Sequence, residues 1–259
     1  MSLRVTLLQL AVVDGEPARN AERALAALRA APAADLYVLP ELWTTGYAHA
    51  SWPQAADEAT PGIAAALQAV SDGRAAWVAG SMVSRRDDGR LVNRLWLHGP
   101  GTGPVWYDKA HLFSPMDEPT HLAAGSRRVE HPIAGVPSAL SICFDLRFPG
   151  MYRRSAVAGA ELFVVASAWP HPRSETIRLL ARARAAENQA YLVLCNRAGL
   201  GADGTAFCGG SAVIGPDGTV LVDAGEAAGC VSATLDRGTV AAARARLAVL
   251  DRGVSEVDD

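Results

Sequence analysis

Three side chains able to make and break bonds stand at the ends of apolar runs. Glu41 follows Leu36-Tyr37-Val38-Leu39-Pro40, Lys109 follows Val105-Trp106-Tyr107-Asp108, and Cys143 follows Leu140-Ser141-Ile142. A thiol attacks as the thiolate, so a cysteine with a free pKa of about 8.5 needs a base and a nearby positive charge to react. A carboxylate and an ammonium supply both, and the ammonium can also hydrogen-bond an oxyanion that develops on the attacked carbon. The chemistry this trio could perform is acyl transfer through a covalent intermediate on Cys143.

Each residue taken singly has a plainer reading. A free cysteine commonly packs as a small hydrophobe, a glutamate at a strand end is ordinarily solvated, and a lone lysine can be a survivor in an arginine-rich chain. Context weighs against these. Lys109 is the only lysine in the sequence, and a compact ammonium in a tight pocket is poorly replaced by a planar guanidinium. Glu41 runs into Trp43-Thr44-Thr45-Gly46-Tyr47, which suits a pocket wall with a close backbone turn. Cys195, Cys208 and Cys230 lie in or beside apolar runs and read as structural.

The elements that must position the trio are short Val/Leu/Ile runs alternating with Ala/Arg/Leu stretches of helical period, the pattern of an α/β fold. Strands are expected at 3–13, 35–39, 138–142, 162–166 and 191–195, and helices at 18–30, 147–158 and 174–189. Thr60-Pro61 reads as the start of a further helix. The runs 77–83 and 91–98 flank Asp88-Gly89 as an antiparallel hairpin. Residues 110–125 show no period and read as a surface loop. The end is β-rich at 211–214, 219–222 and 231–235, with a helix at 240–250 and an acidic tail. Because the carboxyl ends of strands in such sheets share one rim, Glu41, Lys109 and Cys143 can converge although they are far apart in sequence.

Composition narrows the partners. The chain has 259 residues, half of them hydrophobic, which suits one domain over 1–259. A net charge of -3 without any Lys/Arg run argues against nucleic acid. No apolar run approaches the length of a membrane span, and the apolar start passes directly into Asp14-Gly15-Glu16 without a cleavage pattern. Four cysteines without a C-x-x-C pair fit a reducing cytoplasm. Six scattered histidines, without i, i+4 pairing or Cys/His clustering, suggest no metal.

The stretches Pro40-Glu41-Leu42-Trp43-Thr44-Thr45-Gly46-Tyr47, Tyr107-Asp108-Lys109-Ala110-His111-Leu112 and Cys143-Phe144-Asp145-Leu146-Arg147-Phe148-Pro149 resemble the three signatures of the nitrilase superfamily of carbon-nitrogen hydrolases. The resemblance runs to about Leu235. It implies a four-layer αββα sandwich that pairs into a homodimer, no cofactor, Glu41 as general base, Lys109 as stabiliser of the tetrahedral intermediate, Cys143 as nucleophile, and the Phe144 N–H as the second oxyanion donor. It further implies a second glutamate beyond the lysine motif, for which Glu118 is the candidate, although a solvated loop carboxylate is the alternative.

The stretches 109–113 with 117–118, and 168–174 with 184–191, are most similar to the bacterial omega-amidases, which act on 2-oxoglutaramate and related monoamides of dicarboxylic acids. A small amide with a remote carboxylate calls for a cation or amide donors, and Tyr47, Trp169, His171 and Arg173 are the candidates. Trp169 and Tyr47 as core aromatics, Arg173 as a helix-start surface residue and Arg147 in an internal ion pair are the plain alternatives. A deaminated-glutathione amidase, an N-carbamoyl hydrolase or a nitrilase would use the same trio. An inert αββα binding scaffold is the reading from another class.

Overall fold

The structure, a computed structural model, describes residues 2–250. Two six-stranded sheets form the centre. The first has the order β14-β1-β2-β3-β4-β5, built from β1 (Ser2–Gln9), β2 (Leu36–Val38), β3 (Trp77–Arg85), β4 (Leu91–His98), β5 (Val105–Asp108) and β14 (Gly229–Asp236). The second runs β13-β12-β9-β8-β7-β6, from β6 (Glu130–Ile133), β7 (Val136–Ile142), β8 (Leu162–Ser167), β9 (Tyr191–Asn196), β12 (Ala212–Ile214) and β13 (Val220–Asp223). A small hairpin of β10 (Ala198–Leu200) and β11 (Ala206–Cys208) stands apart.

Side-chain alternation decides what packs between the layers. In β1 and β2, Leu3, Val5, Leu7, Leu36 and Val38 join the central core shared with the second sheet. Their neighbours Leu8, Tyr37 and Leu39 point the other way, into a core with Ala24 and Leu28 of α1 (Pro17–Ala30) and Ile63 and Leu67 of a longer helix. The central strands β8 and β9 of the second sheet are buried on both faces, as their unbroken apolar runs require, and α6 (Ser174–Asn188) covers the outside with Ile177, Ala181 and Ala185. The result is helix, sheet, sheet, helix.

Several boundaries depart from the sequence expectation. The first strand ends at Gln9 rather than Val13, because the Gln9 side chain turns into loops, donating to the Gly225 and Ala227 carbonyls and accepting from the Ser211 amide. An α-helical segment does begin at Thr60-Pro61 as expected, but it continues earlier helical turns, with Thr60 as its first residue rather than its cap. Helix α2 (Trp52–Gln54), a wider π-type turn (Ala55–Ala59) and α3 (Thr60–Arg74) run on without a break. The wide turn relieves the clash that a proline ring makes with the carbonyl four residues before it, and the Thr60 hydroxyl bonds the Val83 carbonyl.

The loop 110–125 contains a turn (Ser114–Met116) and one helical turn, α4 (Glu118–His121). After Cys143, a 3-10 turn (Cys143–Arg147) precedes α5 (Pro149–Val157), so the expected helix starts two residues late. The last helix, α7 (Arg237–Arg246), is shifted towards the amino terminus of its expected range. The acidic tail lies outside the described residues. Among the described residues no helix is long and apolar enough to cross a membrane.

Candidate active site

Glu41 lies just beyond β2, Lys109 just beyond β5 and Cys143 just beyond β7, so each side chain leaves a strand where its ladder ends. The first two come from one sheet and the third from the other. All three converge. Lys109 Nζ donates to Glu41 Oε1 and to Glu118 Oε1, each at 2.7 Å, and all three residues are fully buried. The charges of Glu41 and Lys109 both act on the buried Cys143 thiol.

The two carboxylates are held by further donors. Glu41 accepts from Asn93 Nδ2 at 2.8 Å through Oε1 and from the Ala168 amide at 2.9 Å through Oε2. Glu118 accepts from Tyr47 OH at 3.1 Å and from the Phe113 amide at 2.7 Å. Removing such ions from water costs several kcal/mol per charge, on the order of magnitude typical for buried ions, and this ring of donors offsets it. The loop 110–125 therefore folds inward. Glu118 is a buried ligand of the lysine, and the solvated alternative does not hold.

The electrostatics follow from burial. Burial, and then Glu41, push the Cys143 thiol well above the ordinary cysteine range, against the opposing pull of Lys109. The resting thiol is protonated at neutral pH. Burial works against the Lys109 ammonium, but the Glu118 and Glu41 charges outweigh it and hold its pKa above the ordinary lysine value. Burial also raises Glu118, opposed by Lys109, and it raises Tyr47 well above the usual phenol, reinforced by Glu41 and Glu118.

Backbone strain marks the same place. Cys143 has φ +44°, Leu42 beside Glu41 has +46° and Asp117 beside Glu118 has +56°. A non-glycine residue in this region costs of order 1–3 kcal/mol and persists where its surroundings over-determine it. At Cys143 that determinant is Asp145. Its Oδ2 accepts from the Tyr107 hydroxyl at 2.7 Å and the Ile142 amide at 2.9 Å, while Oδ1 accepts from the His111 amide and pairs with His111 Nδ1 at 2.7 Å. One buried carboxylate thus ties the cysteine turn to the strand and loop that carry Lys109.

The remaining candidates divide. Phe144 packs against Phe113 with ring centroids 5.0 Å apart, and the Arg173 guanidinium lies 5.4 Å from the Phe113 ring, so Arg173 reaches the aromatic group beside the nucleophile. Tyr47 touches the charged cluster directly through Glu118, which makes it more than a core aromatic. Trp169 is buried next to Ala168, whose amide holds Glu41, and its own indole N–H has no partner among the described residues. His171 is half-buried and tied by its backbone amide to the Ala206 carbonyl.

Arg147 is exposed and stacks its guanidinium 5.5 Å from the Trp169 ring, so the expected internal ion pair is replaced by a cation-aromatic contact. Cys195 and Cys208 are buried as expected, but Cys230 is exposed, because β14 is the edge of its sheet. Asn93 and Asp145 complete the cluster, and the sequence alone marks neither for that role. Asn93 sits inside β4, next to the lysine across the sheet, where only strand pairing reveals it.

Known proteins give the same picture. The carbon-nitrogen hydrolase family description matches residues 4–245. The 2-oxoglutaramate amidase of Bacillus subtilis is 34% identical over 97% of both chains. The omega-amidase YafV of Escherichia coli K12 is 36% identical over 86% of this chain and 85% of its own.

Among solved structures, a CN-hydrolase superfamily protein of Xanthomonas campestris, with an arsenic adduct in its active site, superimposes with a TM-score of 0.93 at 30% identity over both whole chains. An amidase of Nesterenkonia sp. AN1 that shows Michael addition of acrylamide at its active-site cysteine gives 0.84 at 25% identity, over 95% of this chain and 98% of its own. With its two central sheets flanked by helices, and with these relatives matched over nearly the whole length, the chain belongs to the carbon-nitrogen hydrolase family, and its fold is the αββα sandwich of the nitrilase type.

Proposed function

We propose that the protein is an omega-amidase that converts 2-oxoglutaramate, or a similar monoamide of a dicarboxylic acid, to the acid and ammonia through a thioester on Cys143. Glu41 takes the thiol proton as the sulfur attacks the amide carbon, and the tetrahedral oxyanion is received by Lys109 Nζ and the Phe144 amide. The C–N bond breaks, ammonia leaves with the proton from Glu41, and the acyl group stays on sulfur. Water then attacks the thioester with Glu41 again as base, releasing the acid and restoring the thiol.

The observation that carries this reading is the buried Lys109 Nζ, 2.7 Å from both Glu41 and Glu118, in the field of the Cys143 thiol. A protonated resting thiol makes an adjacent base necessary, and Glu41 is the carboxylate whose charge acts on it. Glu118 positions the lysine. Arg173 supplies a cation for the remote carboxylate, and Tyr47, Trp169 and His171 complete the substrate-binding set. We take residues 1–259 as one catalytic unit acting as a homodimer in the cytoplasm, with a small amide as its partner.

The test is ammonia release from 2-oxoglutaramate by wild type and Cys143→Ala, with intact mass after a rapid quench. Wild type is expected to turn over and to carry a transient acyl mass on Cys143. Equally slow release by both folded proteins would sink the reading. A panel including a nitrile, an N-carbamoyl amino acid and deaminated glutathione separates the other activities, since a carbamoylase yields carbon dioxide as well as ammonia. Light scattering checks the dimer.

A further inference from the structure

We propose that His49, Asp117 and His121 form a binding site for a divalent transition-metal ion of the zinc class, one that clasps the segment after Tyr47 to the helix carrying Glu118. The three residues offer ligand atoms that all lie within 4.8 Å of one another. His121 Nε2 and Asp117 Oδ2 are 3.4 Å apart. That separation is the edge of a tetrahedron whose metal bonds are about 2.0–2.1 Å long. The pair is the N-cap Asp117 and the last residue, His121, of the single turn α4, four residues apart, and His49 arrives from the turn His49–Ser51.

A plain reading of the same contacts is a histidine stack with one ion pair, since the His49 and His121 rings lie 4.5 Å apart at 24°. Two observations favour a ligand. His49 Nε2 is buried and has no hydrogen-bond partner among the described residues, an orphan that a metal bond would satisfy. Asp117 Oδ1 is already engaged by the Thr120 hydroxyl at 2.6 Å, which leaves Oδ2 turned to His121. Outer partners of this kind orient metal ligands.

His49 is further fixed by Trp52, whose ring meets it edge-on at 4.5 Å and whose indole N–H bonds the Gly46 carbonyl. Two nitrogens and one oxygen match zinc or its neighbours rather than calcium or magnesium, and Asp117 and His121 stand exposed enough for water to take a fourth position. The sequence expectation of no metal looked for paired histidines, whereas here the i, i+4 partner is an aspartate.

The site borders the catalytic cluster but uses none of its residues, so a test that reads metal binding does not depend on the amidase reading. Zinc is titrated by calorimetry into the Cys143→Ala protein, in which the catalytic thiol cannot be the ligand, and cobalt binding is followed by its visible absorption. The expected result is one ion per chain with a tetrahedral cobalt spectrum free of thiolate charge transfer. Zinc should also raise the unfolding midpoint, because it binds the folded state alone. Adding His49→Ala or His121→Ala should weaken binding by at least about tenfold, and Asp117→Asn, which keeps the shape, should also weaken it. Unchanged affinity in these folded variants, or no binding by Cys143→Ala itself, would overturn the proposal.

Discussion

Two cysteines stand at the ends of parallel strands in the same sheet, and they could hardly be less alike. Ile142 pairs with Ala166 and Ala166 with Cys195, so Cys195 at the end of β9 is level with the residue before Cys143 at the end of β7. Both thiols are buried, and burial is the first cause that raises each pKa. Cys195 keeps strand geometry and gives its thiol to the Leu8 carbonyl of the opposing sheet at 3.3 Å. Cys143 lies one step further along, past the ladder, at φ +44°, where Glu41 and Lys109 act on it. Burial does not distinguish the reactive thiol from the inert one. One residue of register, a strained turn and two charges do.

The largest effect that could break this comparison is kinetic. Cys143→Ala should lower kcat by on the order of 10⁴-fold or more, as loss of a nucleophile does in other hydrolases. Cys195→Ala should leave kcat within about twofold. Steady-state ammonia release measures both. Iodoacetamide mapping sharpens it: Cys143 and the exposed Cys230 should be modified in the folded protein, with Cys195 and Cys208 protected. Prompt labelling of Cys195 would show that its setting is not the closed one described.

A smaller effect isolates the charges. Lys109→Met would leave Glu41 and Glu118 buried without their cation, which should cost roughly 3–5 kcal/mol near pH 7. With the lysine gone, the burial that already raises Glu118 loses its main opposing charge, so Glu118 stands further above its unfolded value. That sign predicts a loss that is small below about pH 4.5 and grows as pH rises. Denaturant unfolding at pH 5 and pH 7 checks it, and an equal loss at both would mean the cost is packing rather than charge. No such pH-dependent penalty is expected from Cys195→Ala.

The same comparison explains what the sequence could and could not disclose. Glu41, Lys109 and Cys143 were visible because each ends an apolar run, and a strand end is a place the sequence marks. Glu118 rested on the family resemblance, since nothing in its aperiodic loop says that the loop turns inward. Asp145 lay within a quoted motif, but its role depends on Tyr107 and His111 arriving beside it. Asn93 reads as one polar residue inside a strand, and only the pairing of β4 with its neighbours brings it to Glu41. The layers were legible from alternating and continuous apolar patterns. Strand β6 was not, because it is a short edge strand with Pro132 inside it and three of its four residues away from the core.

The smallest predicted effect concerns the inert thiol alone. Burial holds Cys195 protonated well above the ordinary cysteine range, while the unfolded chain releases that proton near the ordinary value. The unfolded state therefore binds fewer protons than the native one once pH passes about 9, and stability falls as pH rises from there. One thiol contributes at most about 1.4 kcal/mol per pH unit in that window. Cys143 adds a similar slope, and the buried Tyr107 and Tyr152, both raised by burial, join above pH 10. Cys195→Ala should lower stability at pH 7 by roughly 1 kcal/mol through lost packing, yet flatten the decline between about pH 9 and 10 by one thiol's share. Urea midpoints at pH 7, 9 and 10 measure the slope. If wild type and variant decline in parallel, Cys195 is already ionising in the folded protein, and the contrast between the two strand ends would have to rest on geometry alone.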